Sequence, residues 1–315
     1  MSTTLVPHPV QAGSAAPLTP DSAAIETVIR SIATLADRHD FDGLSQLYAD
    51  EVRLDYTSLS GGEVEIVSAT ELMNRWAGVL PGFERTHHAV SDVRVTAGEG
   101  GRAAAAAEVI ADHWLGAMHW QVRGRYDYEL ARQERDWRIT AHRFTVTGED
   151  GSREIFNPAT EAAKAHPVAW IKRQQARKLV LDFLTGLEDK DMERVNGVWA
   201  EDAVQEMPYA PASFPKRVVG KAALIKRYAA WPQSSGKARF TEGIVFHAMR
   251  DPEIVVIEYH GIGEIVPTKR TYDQRYIGVF HVESGKIALF REYFDPNIFS
   301  HAFGLNEGGD FYGRK

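Results

Sequence analysis

The chain has 315 residues, 44% of them apolar and 25% charged, a formal net charge of −7 and no cysteine. That length suits two ordinary domains, each large enough to bury a core. The composition excludes disulfides, cysteine-ligated zinc and thiol catalysis, and with no basic run it argues against nucleic acid as a partner. No apolar run is long enough to span a membrane, and a cytoplasmic enzyme is expected.

The first twenty residues lack a basic region followed by an apolar one and are expected to form a disordered tail. A helix is predicted over 21–35, with Thr19 or Asp21 as its cap and Ile25, Val28, Ile29, Ile32 and Leu35 on one face. A short helix follows at 41–48, then a strand at 52–56 and a helix at 69–80 stopped by Pro81-Gly82. Strands are predicted at 89–95, 103–114, 119–132 and 137–147. The polar segment 148–168, with two prolines, reads as a linker.

The same order then returns. Helices are predicted at 171–187 and 192–199, a strand at 203–207, a helix at 221–231, and strands at 240–248, 254–264, 270–281 and 286–294. An offset of 151 lays Asp40 on Asp191, Tyr48 on Trp199, Asp37 on Glu188 and Asp55 on Glu206. Helices followed by a run of antiparallel strands define an α+β class rather than alternating β-α units. The divisions expected are a tail at 1–20, a first domain at 21–147, the linker, a second domain at 169–305 and a tail at 306–315.

Strand parity assigns the interior of each half. Val52, Leu54 and Tyr56 share one face, and the apolar set should line a pocket, with Asp55 outward. In the second half the corresponding face reads Ala203, Gln205, Met207 and Tyr209, and Glu206 points away. Asp37 closes the first helix, His88 stands in Thr86-His87-His88, and His113 in "VIADHW". His260 lies on a predicted strand with Glu258 on its face, a pair open either to proton transfer or to structural bonding of Glu258 with Arg275 or Arg291. His113 and His119 lack a third ligand, so no metal site is expected.

The opening of the first half, with "LSQLYADEVRLDY", and the second half's "VWAEDAVQEMPYAPASFP" and "FREYFDP" resemble NTF2-like, or SnoaL-like, proteins. The resemblance implies two tandem cone-shaped domains, each a curved sheet with packed helices around one deep pocket. It also implies pairing of such domains, here as an internal pseudo-dimer, with further association of chains left open. The first half is most similar to the scytalone-dehydratase-like branch, and the second to SnoaL-like and phenazine-biosynthesis-like members. Carried over by position, the branch's catalytic groups are Tyr56, His88, His113 and Asp37, with Asp37 pairing His113. One departure is Ala36, where that branch has a second tyrosine; Tyr126 and Tyr128 are candidates to replace it.

The expected function is cofactor-independent acid–base chemistry through an enolate, on a hydrophobic cyclic ketone or polyketide-like metabolite: dehydration, isomerisation or cyclisation. Alternatives are a non-catalytic small-molecule binder and an epoxide hydrolase. Pocket residues expected beside the catalytic four are Leu54, Tyr126, Tyr128, Met207, Tyr209, Glu258 and His260.

Overall fold

The computed structural model describes residues 19–305, which divide into two compact units at His166 and Pro167. The expected tails fall outside those residues, except that Thr19 and Pro20 start the first helix.

In the first unit α1 (Pro20–Asp37) and α2 (Phe41–Ser45) precede β1 (Tyr48–Asp55), α3 (Thr57–Ser60), β2 (Glu65–Ser68) and α4 (Ala69–Ala77). The meander β3 (Arg85–Ala97), β4 (Arg102–Leu115), β5 (Met118–Gln133) and β6 (Asp136–Gly151) follows, and α5 (Phe156–Ala165) ends the unit. The second unit repeats this with α6 (Ala169–Asp189), α7 (Met192–Gly197), β7 (Trp199–Glu206), β8 (Arg217–Val219), α8 (Lys221–Tyr228) and α9 (Trp231–Ser234). Its meander is β9 (Val245–His247), β10 (Ile254–Ile265), β11 (Arg270–Glu283) and β12 (Lys286–Phe294), closed by α10 (Pro296–Ala302). The sheet orders are the same, β2-β1-β6-β5-β4-β3 and β8-β7-β12-β11-β10-β9, and neither sheet closes.

Local chemistry explains the repeat. Thr19 caps α1, its hydroxyl accepting from Ser22 N at 3.2 Å, with Pro20 at the first helical position. Asp40 caps α2 through Gly43 N at 2.8 Å, and its counterpart Asp191 caps α7 through Arg194 N at 3.0 Å. The short helices end earlier than their apolar spacing predicts, because Tyr48 and Trp199 already pair with β6 and β12. Each first strand lies parallel to the last strand of its unit, and alternation along β1 buries Val52 and Leu54, Leu54 lining the same space as α1 and α4. The predicted strand at 240–248 shrinks to three residues.

The segment expected as a linker is structure of the first unit. Strand β6 runs to Gly151, Ile155 is buried just ahead of α5, and α5 buries Ala159 and Ala163 beside the turn that follows α4. Spacing of small residues along 155–163 supplies the buried stripe that its polar composition conceals.

Candidate functional site

Inside the first sheet is a cavity of about 330 Å³. Helix α1 lines it with Ile29, Ile32 and Ala36, α4 with Leu72 and Trp76, and the sheet with Leu54, Trp120, Tyr126, Tyr128 and Phe144. Tyr56, His88 and His113 also face it. A larger depression of about 650 Å³ lies over the strand positions that carry Arg53, Asp55, Arg125, Asp127 and Arg143. Two pairs of its charges are matched, Arg143 with Asp55 at 2.9 Å and Arg125 with Asp127 at 2.7 Å. The apolar cavity with few convergent polar groups has the character of a ligand site.

Asp37, at the last position of α1, accepts three hydrogen bonds from β3: Thr86 Oγ1 at 2.8 Å, His88 N at 2.9 Å and His88 Nδ1 at 2.6 Å. Burial pushes its pKa up, but these bonds and the charge of His88 outweigh it and hold the carboxyl at about 2. The expected partner was His113, and the structure corrects this. Thr86 and His88 share the face of β3 beside the end of α1, whereas His113 lies one strand further in, opposite Thr86. Its ring stands 5.5 Å from that of His88, edge to face, among Phe83, Trp120 and Phe156. Burial, reinforced by His88, lowers the His113 pKa to about 3, so it is neutral at physiological pH.

The carboxylate is also a clasp. Its counterpart Glu188, at the end of α6, accepts from Thr241 N at 2.7 Å and from Thr241 Oγ1 at 2.9 Å. Both halves thus tie the end of the long helix, the first to β3 and the second to the segment ahead of β9; the first alone adds an imidazole to the tie.

Tyr56 stands just past β1, hydrogen-bonded to Tyr126, and burial raises both phenols above their usual range. Beneath them lies His142, which sequence reading missed. It packs against Tyr56, Tyr126 and Tyr128 with ring centroids 5.3, 4.8 and 4.5 Å away. Tyr48 Oη is 3.1 Å from its Nδ1, Nε2 has no partner, and burial lowers its pKa to about 3. A slip in the β5–β6 register next to Thr140 leaves Ala141 and His142 both buried, so alternation alone could not assign His142.

The second unit holds a cavity of about 230 Å³ lined by Phe183, Met207, Phe240, Tyr259, Tyr276, Phe294 and Phe299. Met207 is where the sequence put it. Tyr209 is not: it is 59% exposed and packs against Tyr293. Glu258 and His260 are not in the cavity either. Val255, Ile257 and Tyr259 fill the inner face of β10, which turns Glu258 toward His247 at 3.0 Å and His260 toward Asp273 at 2.6 Å. Arg291 bonds Glu206 at 2.7 Å on the outer side.

The carboxylate that does line this cavity is Glu292, which accepts from Tyr259 Oη at 2.5 Å. Burial raises its pKa to about 7 against the pull of Tyr259 and Arg227. The alternation Phe290-x-Glu292-x-Phe294 was a readable signal for it. Among the described residues no three His, Asp or Glu side chains converge as metal ligands, and no helix is long and apolar enough to cross a membrane.

Profiles of SnoaL-like domains match residues 18–143 and 180–290. Among curated proteins, the uncharacterised YesE of Bacillus subtilis is 33% identical over 131 residues, 42% of this chain and 88% of that one. An uncharacterised PhzA/B-like protein of Pseudomonas aeruginosa is 27% identical over 121 residues, 38% of this chain and 84% of that one. Among solved structures, a proposed isomerase from Bacillus subtilis is 31% identical, covering 42% of this chain and 95% of its own, with a TM-score of 0.40.

Proposed function

The chain belongs to the SnoaL-like family, as two such domains in tandem, and from that premise we propose that its first half is a cofactor-independent acid–base enzyme acting through an enolate on a hydrophobic, uncharged cyclic ketone. The observation that carries this reading is the Asp37–His88 pair at 2.6 Å on the wall of an apolar cavity. With Nδ1 held by the carboxylate, Nε2 of His88 is the atom left to take a proton from the carbon beside a carbonyl. Asp37, ionised far below neutrality, favours the imidazolium that results. The Tyr56–Tyr126 hydroxyl pair supplies a donor for the oxygen that gains charge, in the place where Ala36 leaves none.

The neutrality of His113 narrows the chemistry. As a neutral imidazole it offers an N–H for hydrogen bonding but no imidazolium to act as a strong acid at pH 7, so a separate histidinium acid is lacking. The proton that His88 removes is then the one returned, to a γ-carbon in isomerisation or to the departing hydroxide in dehydration. Cyclisation uses the same enolate. His113 serves as a wall and positioning group.

The test is an exchange and mass-loss screen in D₂O, with cyclic enones and β-hydroxy ketones, against His88→Ala, Asp37→Asn and Tyr56→Phe. Loss of His88 is expected to lower α-exchange about 10²–10⁴-fold, the range for general acid–base groups, with ligand affinity little changed. Asp37→Asn is expected to shift the pH dependence of exchange as well as its rate. Binding without exchange in the unaltered protein would replace this reading with that of a non-catalytic binder.

A further inference from the structure

The two cavities differ in how they treat charge. The arginine lining the first, Arg75, is fully matched: Glu65 takes its Nη2 at 3.0 Å and Glu71 its Nε at 3.0 Å. The arginine lining the second, Arg227 of α8, is not. Its guanidinium lies over the Phe214 ring at 4.6 Å, Nη2 meets Met207 Sδ at 2.9 Å, and among the described residues its one oxygen partner is the neutral Tyr228 hydroxyl, with no carboxylate among them. A thioether is a weak acceptor, and a ring face takes none of the five N–H donors along the guanidinium edge. Glu292 feels its charge without forming an ion pair with it, its own carboxyl being engaged by Tyr259. A half-buried guanidinium facing an apolar cavity, with sulfur in the place of a carboxylate, is undersatisfied.

We propose that the second cavity binds a small cyclic or aryl carboxylate, whose anionic group replaces Met207 sulfur on Arg227 while its ring lies among Phe214, Phe240 and Tyr272. This rests on reading the second cavity as a ligand site, and is independent of the chemistry assigned to His88. The aromatic walls take a flat ring, the stacked guanidinium offers two parallel donors to a carboxylate, and Gln205, whose Oε1 has no partner, adds a further polar edge. The chain would then hold a neutral ligand in one half and an anionic one in the other.

The experiment compares 2-naphthoate with 2-naphthamide, isosteric and differing in charge, by calorimetric titration into the full chain, Arg227→Met and Arg227→Lys. Expected is a preference of the unaltered protein for naphthoate of about tenfold or more, from charge-assisted hydrogen bonds, weakening with added salt. Arg227→Met should bring the two ligands level while naphthamide binding persists, which also reports an intact fold; Arg227→Lys should restore part of the preference. A preference that survives Arg227→Met overturns the assignment to Arg227, and equal affinity of the unaltered protein for the two ligands overturns the anionic class. Binding of neither overturns the second cavity as a site for such rings, and leaves the exchange assay on His88 untouched.

Discussion

Acidifying the protein from pH 7 to pH 5 is expected to weaken its first unit and strengthen its second. In the first, His113 and His142 fold as neutral imidazoles with pKa values near 3, while an unfolded histidine titrates at about 6.5. Below that value the unfolded chain binds protons that the folded unit refuses, so stability present above about pH 6.5 is lost as pH falls. His39, also lowered by burial, acts in the same direction. The loss at pH 5 should be about 2–4 kcal/mol. In the second unit Glu292 has its pKa raised to about 7 from a usual 4.5. Its contribution is complete below pH 4.5 and is lost as pH rises through 7, so acidification to pH 5 returns about 2 kcal/mol. Carboxylates held low in either unit, such as Asp37 and Asp182, enter only below about pH 4. Hydrogen exchange followed by peptide mass, corrected for intrinsic rates, separates β4–β6 from β10–β12. His142→Phe should remove much of the acid loss and Glu292→Gln should flatten the second response. If both units moved together with pH, the assignment of these groups would be wrong.

Gly82→Ala is expected to cost the first unit about 3 kcal/mol or more. A Cβ there would lie 1.7 Å from Ala159 O, 2.6 Å from Ala159 C and 2.9 Å from Ala163 N. These are backbone atoms of α5, which no rotamer change can move, so the helix must lift. It carries Phe156, a cavity wall in contact with Trp120 at 4.8 Å, so ligand binding in the first cavity should weaken with it. Gly100→Ala is the reference: φ is +64° and nothing lies within 4 Å, so only the left-handed backbone cost, about 1 kcal/mol, applies. Thermal melts and proteolysis within 152–168 check this. Equal losses for the two substitutions would mean that α5 does not pack as described.

Much of this architecture was legible because helical and strand periodicities repeat at one offset, and because β1 alternates cleanly around Val52 and Leu54. What failed did so for local reasons. Asp37 and His88 were both found, but which histidine meets the carboxylate depends on the β3–β4 register, which no single strand encodes. His142 was hidden by the slip beside Thr140. On β10, Ile254, Val255, Val256 and Ile257 are apolar in succession, so alternation gave no face for Glu258 and His260. The helix at 156–165 was masked by its own polar surface. Glu292 could have been found, since its neighbours at 290 and 294 are aromatic and Arg291 and Tyr293 lie between.

The parallel pairing of the first and last strands governs when each half can form during synthesis. Arg53 is registered with Ala141, a separation of 141 − 53 = 88 residues, whereas β3 to β6 join neighbour to neighbour through short turns. A nascent chain can therefore zip its meander as it emerges, while one edge of β1 waits for the final strand. That strand carries His142 and Phe144, so the first cavity is walled in by the same event that completes its sheet. Residues 169–305 are then still to emerge, and the whole course is run again with Gln205 and Phe290 as the late partners.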